Sequence, residues 1–227
     1  MCIRDRDDSY SKDNFNTDLE GDGAFICQNS WGDNFGENGF FYISYYDTNI
    51  GTHNVVYTDI ENTDNYDHIY QSDLCGWVGQ LGYNKDSIYG ANVFTAEGNE
   101  TLKAASFYAT GKDSQYELYV VRQFEDETSL EKMIPVASGK LGNAGYYTVD
   151  FNQGIEVDAG ERYAVVLYII TPGSVHPMAI EYAADEATEN VDLDDGESYI
   201  SANGSKWVSV DTVEKSNLCI KAFSDNR

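Results

Sequence analysis

The sequence predicts a mainly β protein whose larger part is a β-sandwich. Between residues 66 and 223, short runs of β-branched and aromatic residues are separated by Gly, Asn and Asp, a pattern typical of antiparallel strands joined by tight turns. Of the 227 residues, 41% are apolar and 14% aromatic, which is enough material for a buried core. With 3 prolines and 20 glycines, the composition excludes a collagen-like or low-complexity chain.

The individual strands can be placed from their alternation of apolar and polar residues. We expect strands at residues 90–96, 102–110, 116–122, 146–151 and 162–170. The strand at 116–122 alternates, which places one face on the core and the other in water. Turn residues at 157–161 and 171–173 bracket the last strand. Helical periodicity is scarce, and residues 129–133 are the one short helix that we expect.

The charge of the chain excludes one class of partner. There are 14 Lys and Arg against 39 Asp and Glu, so the formal net charge is −25. Because nucleic acids are bound by clustered Lys and Arg, we expect no nucleic-acid partner. No apolar run approaches the roughly 20 residues of a membrane-spanning helix. High acidity favours a secreted or cell-surface location.

Cysteine spacing gives no sign of a metal site. The four cysteines are widely spaced: Cys2, Cys27, Cys75 and Cys219. There is no Cys-x-x-Cys pair and no His at metal spacing, so we expect neither a zinc site nor a cofactor. One long-range disulfide such as Cys75 to Cys219 stays open, beside the alternative of buried apolar side chains. Residues 192–197 carry carboxylates at a spacing suited to Ca²⁺, but a solvated acidic loop is the preferred interpretation.

Composition changes along the chain predict several regions. Residues 7–58 contain one segment rich in Gly and aromatic residues, residues 59–65 form a polar linker, and residues 66–225 form the sandwich. Residues 1–6 have neither the apolar run of a secretion signal nor a helix cap. They resemble the translated transposon end used in sequencing-library preparation. We therefore expect an assembly artefact fused to a truncated reading frame, with a genuine short N-terminus as the alternative.

Residues 29–41 carry the strongest functional motif. They read Asn-Ser-Trp-Gly-Asp-Asn-Phe-Gly-Glu-Asn-Gly-Phe-Phe. This resembles the end of the catalytic domain of papain-family cysteine peptidases, in which an aromatic strand follows. The resemblance implies that Asn29 is the triad residue that accepts a hydrogen bond from the catalytic imidazole, and that Trp31 covers this bond. The family commonly has a second Trp where this chain has Phe35, which we expect to alter packing near the subsites but not the triad.

The proposed chemistry explains why these residue types are needed. A thiolate nucleophile needs an adjacent imidazolium, and the imidazole needs a neutral acceptor that orients its ring. An Asn amide oxygen is such an acceptor, and an indole that excludes water strengthens the bond. Gly32, Gly36 and Gly39 permit the tight turns. A turn residue without catalytic role is the alternative interpretation of Asn29.

The family's nucleophile and base are not recognisable in this chain. In the papain family the order is Cys, His, Asn, but three histidines follow Asn29: His53, His68 and His176. We expect these to be solvated or loop residues. Neither Cys2 nor Cys27 matches the nucleophile, and residues 7–10 resemble the segment just after the family's catalytic His. With one of three triad residues, the chain alone is expected to be inactive.

The larger region resembles the lectin-like sandwich that follows the peptidase domain in some secreted bacterial members of that family. Residues 66–71, 90–94, 196–201 and 217–223 carry this resemblance. It implies a lectin-like, jelly-roll type β-sandwich, preceded by a truncated C-terminal piece of a papain-like α+β peptidase domain. A fold alone assigns no ligand.

A sugar site requires an exposed aromatic ring with neighbouring amides and carboxylates. Trp207, beside a Gly turn, and Trp77 are the candidates, with packing in the core as the alternative.

Two functions agree with these patterns. The first is a truncated secreted papain-like cysteine endopeptidase, which in its intact form acts on protein or peptide substrates and carries the sandwich as an accessory domain. The second is a non-catalytic module that binds carbohydrate or mediates adhesion to a cell-surface glycan. An upstream Cys and His segment favours the first function, and sugar binding by residues 60–227 alone favours the second.

Overall fold

The computed structural model describes residues 2–50, 55–58, 60–210 and 215–227, so His53 lies outside the described residues. The chain divides into two compact units, Met1–Asp59 and Ile60–Arg227. Both units are built from antiparallel β-sheet, as the alternating sequence pattern predicts.

The smaller unit is a three-stranded antiparallel sheet. Its elements in chain order are β1 (Cys2–Asp7), the 3₁₀ helix η1 (Lys12–Asn14), β2 (Ala24–Gln28) and β3 (Phe40–Ser44). The central strand is β2, which pairs with β1 on one side and β3 on the other.

Strand β3 confirms the aromatic strand expected after the motif, whereas β1 was not expected. Strand β1 pairs through main-chain N–H and C=O groups, which nearly every residue has. Its side chains show no alternation of apolar and polar residues, so the sequence did not reveal the strand.

The larger unit contains thirteen strands and one 3₁₀ helix within the described residues. They are β4 (His68–Tyr70), β5 (Gly79–Leu81), β6 (Ser87–Thr95), β7 (Glu100–Ala109), β8 (Ser114–Val121), η2 (Glu127–Glu131), β9 (Ile134–Leu141), β10 (Gly145–Val157), β11 (Arg162–Ile170), β12 (Met178–Glu181), β13 (Ser198–Ser201), β14 (Val208–Ser209), β15 (Asn217–Leu218) and β16 (Ile220–Asn226).

These strands form two large sheets and one small one. The four-stranded sheet has the order β10-β7-β16-β4, and the six-stranded sheet has the order β14-β13-β6-β11-β8-β9. The strands β15, β12 and β5 form the small sheet. Neighbours in space are seldom neighbours in sequence, which is the pattern of Greek-key and jelly-roll sandwiches.

The main core lies between the two large sheets. Fully buried side chains reach it from β7 and β16 on one side, among them Leu102, Phe107 and Ile220. Others reach it from β8 and β11 on the other side, among them Leu118 and Tyr163. Apolar faces that cover each other in this way define a β-sandwich, so the predicted fold class is confirmed.

A second, smaller cluster covers the opposite face of the six-stranded sheet. Val93, Val121 and Val166 meet Phe124 and Leu130 there. Leu130 belongs to η2, which corresponds to the helix expected at 129–133 but begins two residues earlier.

The start of η2 is fixed by a side-chain cap. Asp126 accepts a hydrogen bond from Thr128 N at 2.9 Å, and Ser129 Oγ accepts one from Asp126 N at 3.4 Å. This reciprocal arrangement is a capping box, and it satisfies main-chain N–H groups that would otherwise lack a partner.

The five predicted strands are all present: β11 has the predicted ends, and the other four have shifted ends. The largest shift is in β10, expected at 146–151 but continuing to Val157. Its pairing with β7 slips between Asp150 and Ile155. A Cβ on Gly154 would lie 2.5 Å from Thr101 Cγ2, so a larger residue at this bulge would displace the Thr101 side chain.

Of the two histidines that the structure describes, His68 has an environment that differs from the expected solvated one. It lies on β4, half-buried, and pairs with Ser224 of β16 instead of being fully solvated beside the linker. His176 lies in a loop, as expected, and its main-chain N donates to Ser174 Oγ.

Candidate functional site

Asn29 directly follows β2, and main-chain groups of its own loop hold its side chain. Oδ1 accepts a hydrogen bond from Trp31 N at 2.6 Å, and Nδ2 donates to Gly39 O at 3.0 Å. The main-chain N of Asn29 donates to the same Gly39 carbonyl at 2.9 Å. An amide oxygen can accept two hydrogen bonds, so the Trp31 N–H leaves one acceptor position for an imidazole N–H.

Trp31 presents its indole to solvent, with 77% of the residue exposed. Its ring lies edge-on to Phe35 with centroids 5.2 Å apart, and Phe35 lies edge-on to Phe41 at 5.6 Å. Edge-to-face pairs of this kind favour a fixed ring orientation. That Trp31 covers a hydrogen bond of Asn29 stays a prediction.

The glycines of the motif adopt the backbone conformations that the turns require. Gly32, Gly36 and Gly39 all have positive φ, of 88°, 65° and 86°. At Gly36 a Cβ would lie 2.1 Å from the carbonyl oxygen of Phe40. Positive φ explains the preference for glycine at all three positions, whereas the predicted clash of a Cβ is found at Gly36 and not at Gly32, where a Cβ would meet no atom within 4 Å.

The cysteines do not form the disulfide that the sequence left open. Cys75 is an exposed thiol, and Cys219 is a buried one whose pKa is raised by burial and by the carboxylates of Asp73 and Glu181. Cys27 is fully buried on β2, as expected for a buried strand.

A row of aromatic rings lies on the outer side of the four-stranded sheet, and we call it the aromatic face. Tyr108 of β7 and Tyr146 of β10 are directly paired across the strands, with centroids 5.0 Å apart. Trp77 lies 5.8 Å from Tyr108. Because Phe107 points into the core, Tyr108 next to it points away from the core.

A tight turn brings Trp77 to this face. Gly76 N donates to Asp73 O at 3.1 Å, and Gly76 has a φ of 71°. A Cβ on Gly76 would lie 2.9 Å from the Tyr108 hydroxyl, so glycine allows the chain to approach the ring. Trp77 is 37% exposed and Tyr146 is 44% exposed.

Polar groups lie beside the aromatic face. Lys221 pairs with Ser106 across β16 and β7, and its Nζ lies 3.3 Å from Asp73 Oδ1 and 2.5 Å from Gln71 Oε1. Ser106 Oγ and the Tyr146 hydroxyl are 2.5 Å apart. Burial raises the pKa of Asp73, and Lys221 opposes that rise.

Trp207 lies elsewhere and is partly enclosed. It packs against the smaller core cluster, and its ring is edge-on to Tyr89 at 6.2 Å. Its Nε1 is buried and has no hydrogen-bond partner among the described residues. This environment favours a packing role for Trp207, whereas Trp77 is 37% exposed and joins the rings on the outer side of the four-stranded sheet.

Tyr108 and Tyr146 were not singled out from the sequence. Alternation along β7 and β10 assigns each tyrosine to one face of its own strand. The pairing of these distant strands, and the turn that adds Trp77, depend on tertiary structure that alternation does not contain.

Neither a membrane helix nor an acidic metal cluster is present in the described part of the chain. No described helix is long and apolar enough to cross a membrane. Likewise, residues 2–50, 55–58, 60–210 and 215–227 contain no group of three or more His, Cys, Asp or Glu side chains arranged to hold a metal ion.

Comparison with known families gives one match, which covers more than half of the chain. Residues 69–224 match the model of a family described as "Lectin like domain". A search of curated protein sequences returned no match.

Two solved structures are similar to nearly the whole chain. One is a clostridial cysteine protease, Cwp84, after propeptide cleavage, with 27% sequence identity and a TM-score of 0.79 over 98% of this chain and 56% of that chain. The other contains the cysteine protease and lectin-like domains of Cwp84, a surface layer associated protein of Clostridium difficile. It has 25% identity and a TM-score of 0.74 over 98% of this chain and 50% of that one. The chain thus spans about half the length of each.

Proposed function

Because the chain belongs to the lectin-like domain family, we propose that its larger unit binds carbohydrate at the aromatic face. The observation that carries this proposal is the continuous row of Trp77, Tyr108 and Tyr146 beside the Lys221–Asp73 ion pair. Aromatic rings pack against the C–H faces of sugar rings, while charged and amide groups hydrogen-bond the hydroxyls. The aromatic face supplies the rings, and the exposed amide of Gln71 beside it is the polar group. Asp73 is fully buried, so it positions Lys221 and does not contact the sugar itself.

The test is sugar binding by the purified 227-residue chain on a glycan array, followed by calorimetric titration with the best glycan. We expect Trp77→Ala and Tyr146→Ala each to weaken binding at least about tenfold, which corresponds to about 1.4 kcal/mol. Tyr57→Ala is the matched control, since Tyr57 is 83% exposed and lies in the other unit. Equal affinity of all three variants, or equal loss in the Tyr57 variant, contradicts the proposal.

We further propose that the whole protein is a papain-like cysteine peptidase of the cell surface, in which Asn29 orients the catalytic imidazole. The motif at residues 29–41 supports this, as does similarity over 98% of the chain to a cysteine protease with a lectin-like domain. Asn29 is held by the Trp31 N–H and the Gly39 carbonyl, which fixes the amide for such a role. Peptide or protein substrates belong to that whole protein.

The peptidase proposal has two tests. The 227-residue chain alone is expected to show no thiol-dependent hydrolysis of a dipeptidyl fluorogenic substrate, since no His precedes Asn29 in it. In a longer protein that also contains the Cys and His, we expect Asn29→Ala to lower kcat about 10²-fold with little change in KM, because the imidazole loses its orientation. Ser30→Ala is the control. Hydrolysis by the chain alone, or full activity of the Asn29 variant, contradicts the proposal.

A further inference from the structure

A second group of aromatic side chains lies on the outer side of the six-stranded sheet. Tyr89 of β6, Tyr119 of β8 and Tyr168 of β11 each lie directly beside a residue of the main core in their own strand, so their side chains point away from that core. The three rings are half-buried, and Glu117 on the same side of β8 is exposed. We call these three tyrosines and Glu117 the tyrosine cluster.

Strand pairing places the members of the tyrosine cluster side by side. Tyr168 is opposite Tyr89 on one side and opposite Glu117 on the other. The rings of Tyr168 and Tyr89 are stacked, with centroids 4.2 Å apart and planes 21° from parallel. Tyr89 therefore covers one face of the Tyr168 ring, and the other face is turned toward β8. There the Tyr119 hydroxyl donates a hydrogen bond to Glu117 Oε2.

The loop between β13 and β14 packs against this stack from the side of β13. Gly204 has a φ of 75°, and a Cβ there would lie 3.2 Å from Tyr89 Cζ, so the glycine main chain lies against the ring. Trp207 is edge-on to the same ring at 6.2 Å. Main-chain N–H groups of the loop donate to Ser201 Oγ and Asn203 Oδ1. These contacts fix the rings before a ligand arrives, which lowers the entropy cost of binding.

Glu117 brings a negative charge to these rings without a basic partner. Across the part of the chain that the structure describes, no Lys, Arg or His lies within ion-pair distance of its carboxylate. Lys140 of the adjacent strand β9 lies 3.3 Å from Asp113 Oδ1 instead. Burial raises the pKa of Tyr119, and the hydrogen bond and charge of Glu117 raise it further. The tyrosine cluster thus joins aromatic rings, hydroxyls and an unpaired carboxylate on one surface.

We propose that the tyrosine cluster binds a glycan that carries free, protonated amino groups. An ammonium group is attracted both to a carboxylate and to the face of an aromatic ring. The C–H groups of a sugar pack against aromatic rings, and sugar hydroxyls hydrogen-bond with tyrosine hydroxyls. A protonated amino sugar carries all three kinds of group on one ring. A neutral sugar lacks the charge, and a lysine side chain lacks the hydroxyls.

The tyrosine cluster is separate from the aromatic face. The two surfaces lie on the outer sides of different sheets, with the main core between them. A sandwich with both surfaces can contact two glycan segments at once, which strengthens attachment to a polymer. Binding at the tyrosine cluster does not depend on binding at the aromatic face, so failure of one proposal leaves the other standing.

The first test is calorimetric titration of the full chain with the trisaccharide of glucosamine. We expect it to bind at least about tenfold more tightly than the trisaccharide of N-acetylglucosamine, whose nitrogens are uncharged amides. Because a net charge of −25 attracts any polycation, a peptide of three lysines is the ligand control. It carries amines without sugar hydroxyls, and we expect it to bind more weakly than the glucosamine trisaccharide. Equal affinity for either comparison ligand overturns the proposal.

The second test uses two variants with the same change of charge. Glu117→Gln keeps the shape of the side chain and an acceptor for the Tyr119 hydroxyl. We expect it to weaken binding of the glucosamine trisaccharide about fivefold, the upper range for an exposed ion pair. Glu186→Gln is the matched control, since Glu186 is exposed and lies in the loop between β12 and β13. Equal affinity of the two variants overturns the proposal.

A third measurement needs no variant. A carbodiimide adds to a carboxyl group, and a ligand amine held beside that group then displaces a urea and forms an amide. After such coupling of the unmodified chain to the glucosamine trisaccharide, we expect peptide mapping to find several times more amide at Glu117 than at Glu186. Equal coupling at the two residues overturns the proposal. None of these outcomes bears on sugar binding by the aromatic face.

Discussion

Among single side chains, His68 combines a strand position with a polar surrounding that favours its charged form. Its Nε2 lies 2.9 Å from Asn226 Oδ1, and its Nδ1 lies 3.5 Å from Glu97 Oε2. The hydrogen bond to Asn226, followed by the charges of Glu100 and Glu97, raises the pKa of His68 above its ordinary value. In the imidazolium form both ring nitrogens of His68 carry a hydrogen, and the oxygens of Asn226 and Glu97 can accept from them.

This shift predicts a pH dependence of stability with a definite sign. Because the folded pKa lies above the unfolded value of about 6.5, the stabilising contribution is complete below that pH. It is lost as the pH rises through the folded pKa. We expect an NMR titration to give His68 a pKa above 6.5, and His68→Gln to lower Tm more at pH 6 than at pH 8.5. Asn226→Ala should lower that pKa, and an equal loss of Tm at both pH values contradicts the assignment.

At the scale of residues, local chemistry was predictable from the sequence and tertiary surroundings were not. Positive φ at Gly36 follows from the motif, because the spacing itself requires a tight turn. The surroundings of the buried Asn217 amide do not, since Ser72, Glu181 and Asp192, which contact its Nδ2, lie far apart in the sequence. Trp77 and Trp207 looked alike as exposed-ring candidates, and the fold separates them by what surrounds each indole.

At the scale of elements, the smaller unit has strands without a deep core. In β2 only Ala24 and Cys27 are buried, and in β3 only Ser44. Phe25, Ile26 and the aromatic residues of β3 are only half-buried. By contrast, seven consecutive positions of β11 include six that are fully or nearly fully buried. Amide protection follows the free energy of local opening, which depends on such burial.

We therefore expect hydrogen exchange to be faster across Ala24–Gln28 and Phe40–Ser44 than across Arg162–Ile170. The measurement is exchange of the intact chain followed by peptide-level mass spectrometry. Strand β7 is a suitable second reference, because it lies inside the four-stranded sheet. Equal protection of β2, β3 and β11 contradicts the expectation.

The strands differ in how far the sequence predicts them. The run at residues 162–170 coincides with β11 because a continuous apolar segment between two turns leaves little choice of ends. The two-residue strands β14 and β15 are too short for any alternation, and they exist because β13 and β12 offer free edges. In β10 the Gly-containing segment looked like an end, yet a bulge continues the pairing.

At the scale of the whole molecule, both core clusters belong to the unit Ile60–Arg227. We expect residues 60–227, expressed alone, to unfold cooperatively with a Tm within a few degrees of the main transition of the full chain. Calorimetry of both proteins in the same buffer is the measurement. A Tm lower by more than about 10 °C, or a broad non-cooperative transition, contradicts this. In a domain of this size one degree of Tm reflects a fraction of a kcal/mol, so a loss of about 10 °C means that several kcal/mol of stability came from the smaller unit.

The pairing of β16 between β4 and β7 constrains the order in which the sandwich can be made. Ala222 pairs with Tyr70 on one side and Ala105 on the other, so the four-stranded sheet is incomplete until β16 has left the ribosome. The four-stranded side of the core therefore stays incomplete until the end of the unit has been made, and such long-range closure is slow.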